Sequence, residues 1–286
     1  MVAWRLWTGW RIVPSAVKLR LGLQLGLGGA ALLAGLFALT RWWPTAQPGV
    51  LVPPLGLLAG LLSYALWCLL PDLQQGIPPS LRGDLPCPPG QRVRLSFDDG
   101  PVAGVTDAVL DLLAAHGLRA SFFLLSHKAR NHPALVRRIV AEGHVLGLHG
   151  EDHRPVLFQS TAALTAKLRR ARDDLAQLAG QPITLYRPSH GFKNRALLRA
   201  LRRLDLRLVS WDFGVWDTDA PAPAVLLQRL RLCTTQPPGG PPPIVLLHDG
   251  RDDLPGLPPH HRSLLAALTA WLPSARESAG GGEQRL

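Results

Sequence analysis

Cysteine is scarce in this chain. Three are spread over 286 residues, with Cys68 in an apolar run, Cys87 among prolines and Cys233 in a predicted helix. That number cannot build the disulfide framework of a small secreted scaffold, and nothing in the sequence supports a bridge between Cys87 and Cys233. Acidic residues are also in short supply: 20 Asp and Glu face 31 Lys and Arg, nearly all of the latter arginine, for a net charge of +11. Such an excess suits a nucleic acid, an anionic lipid or an acidic polymer as partner and says nothing about fold. A basic stripe with interleaved aromatics, as single-strand binders use, is missing, which argues against nucleic acid. No internal repeat is apparent. The length favours one sizeable domain and something smaller.

Charge is absent from two apolar runs, residues 21–39 and 50–70. About 20 apolar residues suffice to cross a bilayer, so we read residues 21–70 as a transmembrane helical hairpin behind a basic segment, residues 1–20. Trp42 and Trp43 beside Arg41, with Trp67 at the other end, suit the headgroup level. A signal peptide is the competing reading of the first run, but no small-residue cleavage site follows Leu39. Pro53-Pro54 shortens the second run, and a re-entrant segment is its alternative. The expected location is therefore the cell membrane, with lipid as a partner. Arg5, Arg11, Lys18 and Arg20 place the N-terminus in the cytoplasm, so two full spans return the remaining chain there and one span puts it outside.

Residues 71–90 hold six prolines and read as a semi-rigid linker before a domain at residues 91–272, with a disordered tail at 273–286. Within the domain, short apolar runs alternate with helical patterns. Strands are expected at 93–97, 121–125, 144–149, 183–187, 207–212 and 244–248. Helices are expected at 106–116, from Pro133 to Gly143, from the Ser160 cap to Ala179, and at 194–204, 223–232 and 262–272. Alternation of this kind implies parallel strands, α/β class. In a (β/α) barrel the strand ends open onto one face, so residues far apart in sequence can meet in a single cleft.

Polar residues gather where these strands end. Asp98 and Asp99 close the first, before Gly100-Pro101. A metal hydrolase needs one carboxylate for its ion and another to take a proton from water, and adjacent residues can split those roles. Taken alone, Asp-Asp-Gly-Pro is usually a solvated turn. His149 and His153 stand four apart after the third strand, and with Asp99 they form a two-His, one-carboxylate set for one divalent metal. Zn²⁺ is the first choice, although related divalent ions can substitute. His248 ends the last strand, and we assign it the role of general acid. Arg187 is placed to pair with Asp98, its competing role a structural ion pair, and Asp212 or Asp217 to orient His248 and raise its pKa. Glu151 or Asp152 is a weaker candidate to support a ligand ring. The other six histidines, at 116, 127, 132, 144, 260 and 261, read as exposed or helix-terminal.

Taken together, Ser96-Phe97-Asp98-Asp99-Gly100, His149-Gly150-Glu151-Asp152-His153, Arg187-Pro188-Ser189-His190-Gly191, Trp211-Asp212 with Asp217, and Leu246-Leu247-His248-Asp249 resemble the five motifs of the NodB-homology polysaccharide deacetylases, carbohydrate esterase family 4. The resemblance covers roughly residues 91–272, with the motifs in order. It implies a distorted (β/α) barrel of the NodB-homology type and metal-dependent removal of N- or O-acetyl groups from peptidoglycan, chitin-like or related glycans. It implies Asp98 as general base, Asp99, His149 and His153 as metal ligands, and His248 as general acid. Arg187 tunes the base, Asp217 matches the fourth motif's acid, and the His190 N–H is expected to help hold the oxyanion. Three departures from the pattern stand out, over four positions: Gly150 for Ser or Thr, Ser189-His190 for Pro and an aromatic, and Thr218 for Trp. A cytoplasmic-face enzyme removing formyl or acetyl from a polyprenyl-linked amino sugar is the second reading. An inactive glycan-binding scaffold is the third, against which the joint presence of base and acid argues.

Overall fold

The computed structural model describes residues 77–235, 241–250 and 260–276, together with isolated residues between 58 and 68. The chain divides into two units, Met1–Leu69 and Leu70–Leu286. In the first unit the described residues are helical, Leu61, Leu62 and Tyr64 among them exposed. No helix among the described residues is long and apolar enough to cross a membrane. The basic segment and the first apolar run expected at 21–39 lie outside the described residues, as does much of the second.

The second unit is a single sheet of seven strands, every pairing parallel. In chain order these are β1 (Arg94–Asp98), α1 (Thr106–Ala115), β2 (Ala120–Leu125), α2 (Ser126–Asn131), α3 (Pro133–Ala141), β3 (Val145–Gly150), α4 (Thr161–Ala179), β4 (Leu185–Tyr186), α5 (Arg195–Leu204), β5 (Arg207–Leu208), β6 (Phe213–Gly214), α6 (Pro223–Thr234), β7 (Ile244–His248) and α7 (His260–Trp271). The strand order is β5-β4-β3-β2-β1-β7-β6. All residues of β1 and β2 are buried, as expected for central strands covered on both faces.

The sheet is strongly curled. β5 and β6 are its two edges, yet only residues 209–212 join them. Six strand spacings of about 4.8 Å would separate those edges in a flat sheet by about 29 Å. Five residue steps reach about 18 Å at most. Packing agrees: Val209, Phe123 of β2 and Ile244 of β7 meet in one buried cluster with Leu85. The result is a curled half-barrel, its edges unpaired with one another among the described residues. The strand expected over 207–212 is thus confined to β5, and β6, which was not expected, follows it at Phe213–Gly214. The Val209 amide still donates to Tyr186 of β4, whereas the Asp212 amide donates to Ile244 of β7, so the chain changes edges between them.

Helix ends follow their local chemistry. Ser160 Oγ accepts from the Ala163 amide at 3.2 Å and opens α4, which Gly180 closes at φ 67°. Pro133 opens α3. Helix α2 was not expected because its sequence, SHKARN, carries no apolar period. The ordered unit also extends beyond the expected limits. Residues 77–90 do not behave as a linker: Ile77, Leu81 and Leu85 are buried, the Gly83 amide donates to Leu208, and Asp84 pairs with Arg94. At the other end Ala275 is buried and Arg276 bridges to Gln91, so order continues past residue 272, while 277–286 lie outside the described residues. No disulfide joins the cysteines among the described residues.

Candidate active site

The polar strand ends converge because β1 lies inside the sheet, between β2 and β7, and β3 follows β2. Asp98 is in register with Phe123 on one side and His248 on the other. Side chains alternate along a strand, so Ser96 and Asp98 share a face. Arg187, just after β4, reaches both: its Nη1 donates to Asp98 Oδ1 at 2.8 Å and to Ser96 Oγ at 2.9 Å, and its Nη2 to the Ser210 carbonyl at 3.1 Å. Arg187 Cζ lies over the Phe123 ring, 4.1 Å from its centre. Asp98 is 2% exposed and Arg187 not at all. Burial pulls the Arg187 pKa down and Asp98 opposes that shift, so each charge depends on the other.

Asp99 turns away from its neighbour. Its backbone sits at φ 73°, a left-handed conformation uncommon outside glycine, which ends the strand and sends the second carboxylate toward β3. There Asp99 Oδ1 lies 3.3 Å from His149 Nε2 and 3.2 Å from His153 Nε2. One ligand atom from each of the three residues falls within 4.8 Å of the others. Burial opposes ionisation of Asp99, but the adjacent His149 ring, aided by His248 and His153, holds its carboxyl well below the usual range. Burial pushes His153 down to about 4 against the pull of Asp99, which leaves its ring neutral at ordinary pH. Asp99 Oδ1 is buried without a hydrogen-bond partner. An unsatisfied carboxylate oxygen facing two imidazole nitrogens fits a divalent cation. His149 Nδ1 is 3.7 Å from Asp98 Oδ2, which sets the base candidate beside the ligand cluster.

His248 is held by Asp217 and not by Asp212. Asp217 Oδ1 lies 2.9 Å from His248 Nδ1, and its Oδ2 accepts from the His248 amide at 2.7 Å. Asp212 instead accepts from the Ile244 amide at 2.9 Å and lies near Arg94. Burial disfavours the imidazolium, yet Asp217, with Asp99 and Asp98 adding, raises the His248 pKa to about 9.

The third-motif turn Ser189–Gly191 places His190, at φ 61°, with its ring 4.3 Å from that of His153. Ser189 Oγ donates to the His149 carbonyl at 3.2 Å, and a Cβ on Gly150 would stand 4.0 Å from that hydroxyl. The hydroxyl missing at position 150 is thus matched by one entering from position 189. Asp152 pairs with Lys167, and Glu151 lies near Arg170, so these carboxylates make surface pairs. His144, expected to be exposed or helix-terminal, is buried, with its Nδ1 accepting from the Ala120 amide, and burial pushes it down to about 4. Sequence reasoning missed Ser96, whose signal was its place two residues before Asp98 on one strand face. Ser189 carried no such signal, because its partner comes from an element distant in sequence.

The sequence model of the polysaccharide deacetylase family matches residues 86–209. The chitooligosaccharide deacetylase of Rhizobium leguminosarum bv. trifolii is 30% identical over 160 residues, covering 56% of this chain and 72% of that protein. The peptidoglycan-N-acetylglucosamine deacetylase PgdA of Listeria monocytogenes is 30% identical over 159 residues, 56% of this chain; the chain spans about a third of that relative's length, 32%. Among solved structures, a family 4 carbohydrate esterase from Streptomyces lividans in complex with acetate superposes with a TM-score of 0.54 at 27% identity, covering 64% of this chain and 87% of that one.

Proposed function

On the premise that the chain belongs to the polysaccharide deacetylase family, we propose that it hydrolyses the N-acetyl groups of an envelope glycan, with Asp98 as base and His248 as acid. One observation carries the reading: a buried carboxylate, a cation-fitting triad and an imidazole paired with a carboxylate stand together at the ends of β1, β3 and β7. The relatives' names supply the substrate class, acetylated amino sugars of peptidoglycan or chitin type.

Asp99, His149 and His153 would hold the cation, with Zn²⁺ the best match to imidazole and carboxylate donors. The ion supplies charge stabilisation at a carbonyl oxygen and lowers the pKa of water. Asp98, aimed by Arg187 and Ser96, accepts a proton from the attacking water as its oxygen adds to the acetyl carbon. The His190 amide donates to the oxygen on which charge develops. The C–N bond then breaks as His248 gives its proton to the departing amine, leaving acetate and a free amino sugar. An amine leaves only when protonated, whereas an ester alkoxide demands this less. An imidazole that keeps its proton to about pH 9 therefore favours amide over ester substrates.

The two uncharged runs, 21–39 and 50–70, support attachment to a membrane, and reporter fusions at the C-terminus decide which side the domain faces. The function itself is tested by acetate release from chito-oligosaccharide and peptidoglycan. Activity is expected from the zinc-loaded chain, lost on chelation, and lost in Asp98→Asn and His248→Ala. Either variant working at the wild-type rate would refute the assignment.

A further inference from the structure

Asp249 has no part in the chemistry above, yet it is fully buried directly after His248. Its amide donates to the Asp98 carbonyl at 3.2 Å. Thr106 Oγ1 donates to Asp249 Oδ2 at 2.7 Å and itself accepts from the Val102 amide at 2.9 Å. The Asp249 amide thus holds the start of the turn that carries Asp99, at the Asp98 carbonyl, while its carboxylate holds Thr106, whose hydroxyl takes the far end at Val102.

Packing closes the same joint. A Cβ on Gly100 would stand 2.5 Å from both Asp249 carboxylate oxygens, and one on Gly250 would overlap the Asp99 carbonyl. Gly250 lets the two loop backbones approach this closely, and Gly100 leaves the room that the Asp249 carboxylate fills. The far sides are fastened as well: Lys128 Nζ donates to the Gly250 carbonyl at 2.6 Å, and the Leu125 amide donates to the Gly100 carbonyl at 3.0 Å. A non-glycine residue at φ 73° persists only where its surroundings over-determine it, and Asp99 is such a residue. Relaxation of that dihedral would swing the Asp99 carboxylate away from His149 and His153.

We propose that Asp249 and Thr106 are positioning residues that lock the Asp99 turn, so that the cation site is preformed before any ion enters. The proposal rests on the reading of Asp99, His149 and His153 as ligands. Partners behind a ligand commonly change metal affinity by about 10- to 100-fold. The test measures Zn²⁺ affinity of the purified full chain by competition with a chromophoric chelator, alongside thermal melting of the metal-free protein. Thr106→Val, which keeps the shape and removes the hydroxyl, is expected to bind Zn²⁺ about tenfold more weakly. Thr106→Ser, which keeps the hydroxyl, should restore wild-type affinity. Thr106→Ala carries the same comparison if the valine variant does not fold. Wild-type affinity in the hydroxyl-free variant, even with a lowered melting temperature, would show a merely structural bond and overturn the proposal. Absence of Zn²⁺ binding by the wild-type chain would overturn the ligand reading itself, and the lock with it.

Discussion

Replacing Asp217 by Asn removes the charge facing His248 Nδ1 while keeping the shape of the side chain. Asp217 now accepts two bonds, one from each oxygen, from the His248 ring and the His248 amide. Asn offers a single acceptor, so one of these bonds is lost along with the charge. Burial already works against the imidazolium, and Asp217 is the first of the groups that overcome it to reach a pKa of about 9. Without that carboxylate the value falls toward the ordinary 6.5. At about pH 8 a group with pKa near 9 is about nine-tenths protonated, and one with pKa 6.5 about 3%. The variant should therefore lose about thirtyfold in kcat/KM at about pH 8 and recover most of it near pH 5.5, where both forms carry the proton. The alkaline limb of the kcat/KM profile, measured as acetate release, is expected to move down by about two and a half pH units. A limb that stays in place, or a loss equal at every pH, would refute the assignment of His248 as an acid poised by Asp217. Stability follows the same linkage. The folded pKa lies above the unfolded one, so the pair's contribution is fully present below pH 6.5 and is lost as pH rises through about 9.

Arg187→Met leaves Asp98 buried beside no cation; a loss of about 3–5 kcal/mol is expected in urea unfolding, and a loss below about 1 kcal/mol would show that Asp98 does not depend on the pair. Gly147 lies on β3 against Phe123, whose ring an added Cβ would overlap. Gly147→Ala should cost about 1–3 kcal/mol and also lower kcat, because Phe123 supports Arg187; unchanged kcat in a destabilised protein would separate the two effects. Gly150 sits at φ 123°, so Gly150→Ser, although it restores the residue type of the family pattern, should destabilise by about 1 kcal/mol or more. A more stable serine variant in thermal melting would show that the backbone there relaxes freely.

That Asp98, Asp99, His149, His153, Arg187 and His248 would gather in one place was legible, because they close or soon follow apolar runs and a parallel sheet brings such ends to one side. The choice between Asp212 and Asp217 was not legible, since both follow the same run and the deciding event is a change of sheet edge. Once residues 209–212 cross from β4 to β7, Asp212 is spent on the Ile244 amide and Asp217 arrives at His248. Nothing local marks that crossing, because two-residue strands leave no period to read. The Pro-rich segment failed for a related reason. Prolines exclude regular structure, but they do not prevent Ile77, Leu81 and Leu85 from packing singly against the sheet. Composition reports what backbone a segment can form, whereas burial of three spaced apolar side chains depends on a surface built from distant residues. The same holds for Asp249 and Ser189, whose partners, Thr106 at the start of α1 and the His149 carbonyl in β3, come from elements distant in sequence. Residues that touch the reacting atoms are marked by their chemistry, and residues that position them are marked only by the fold.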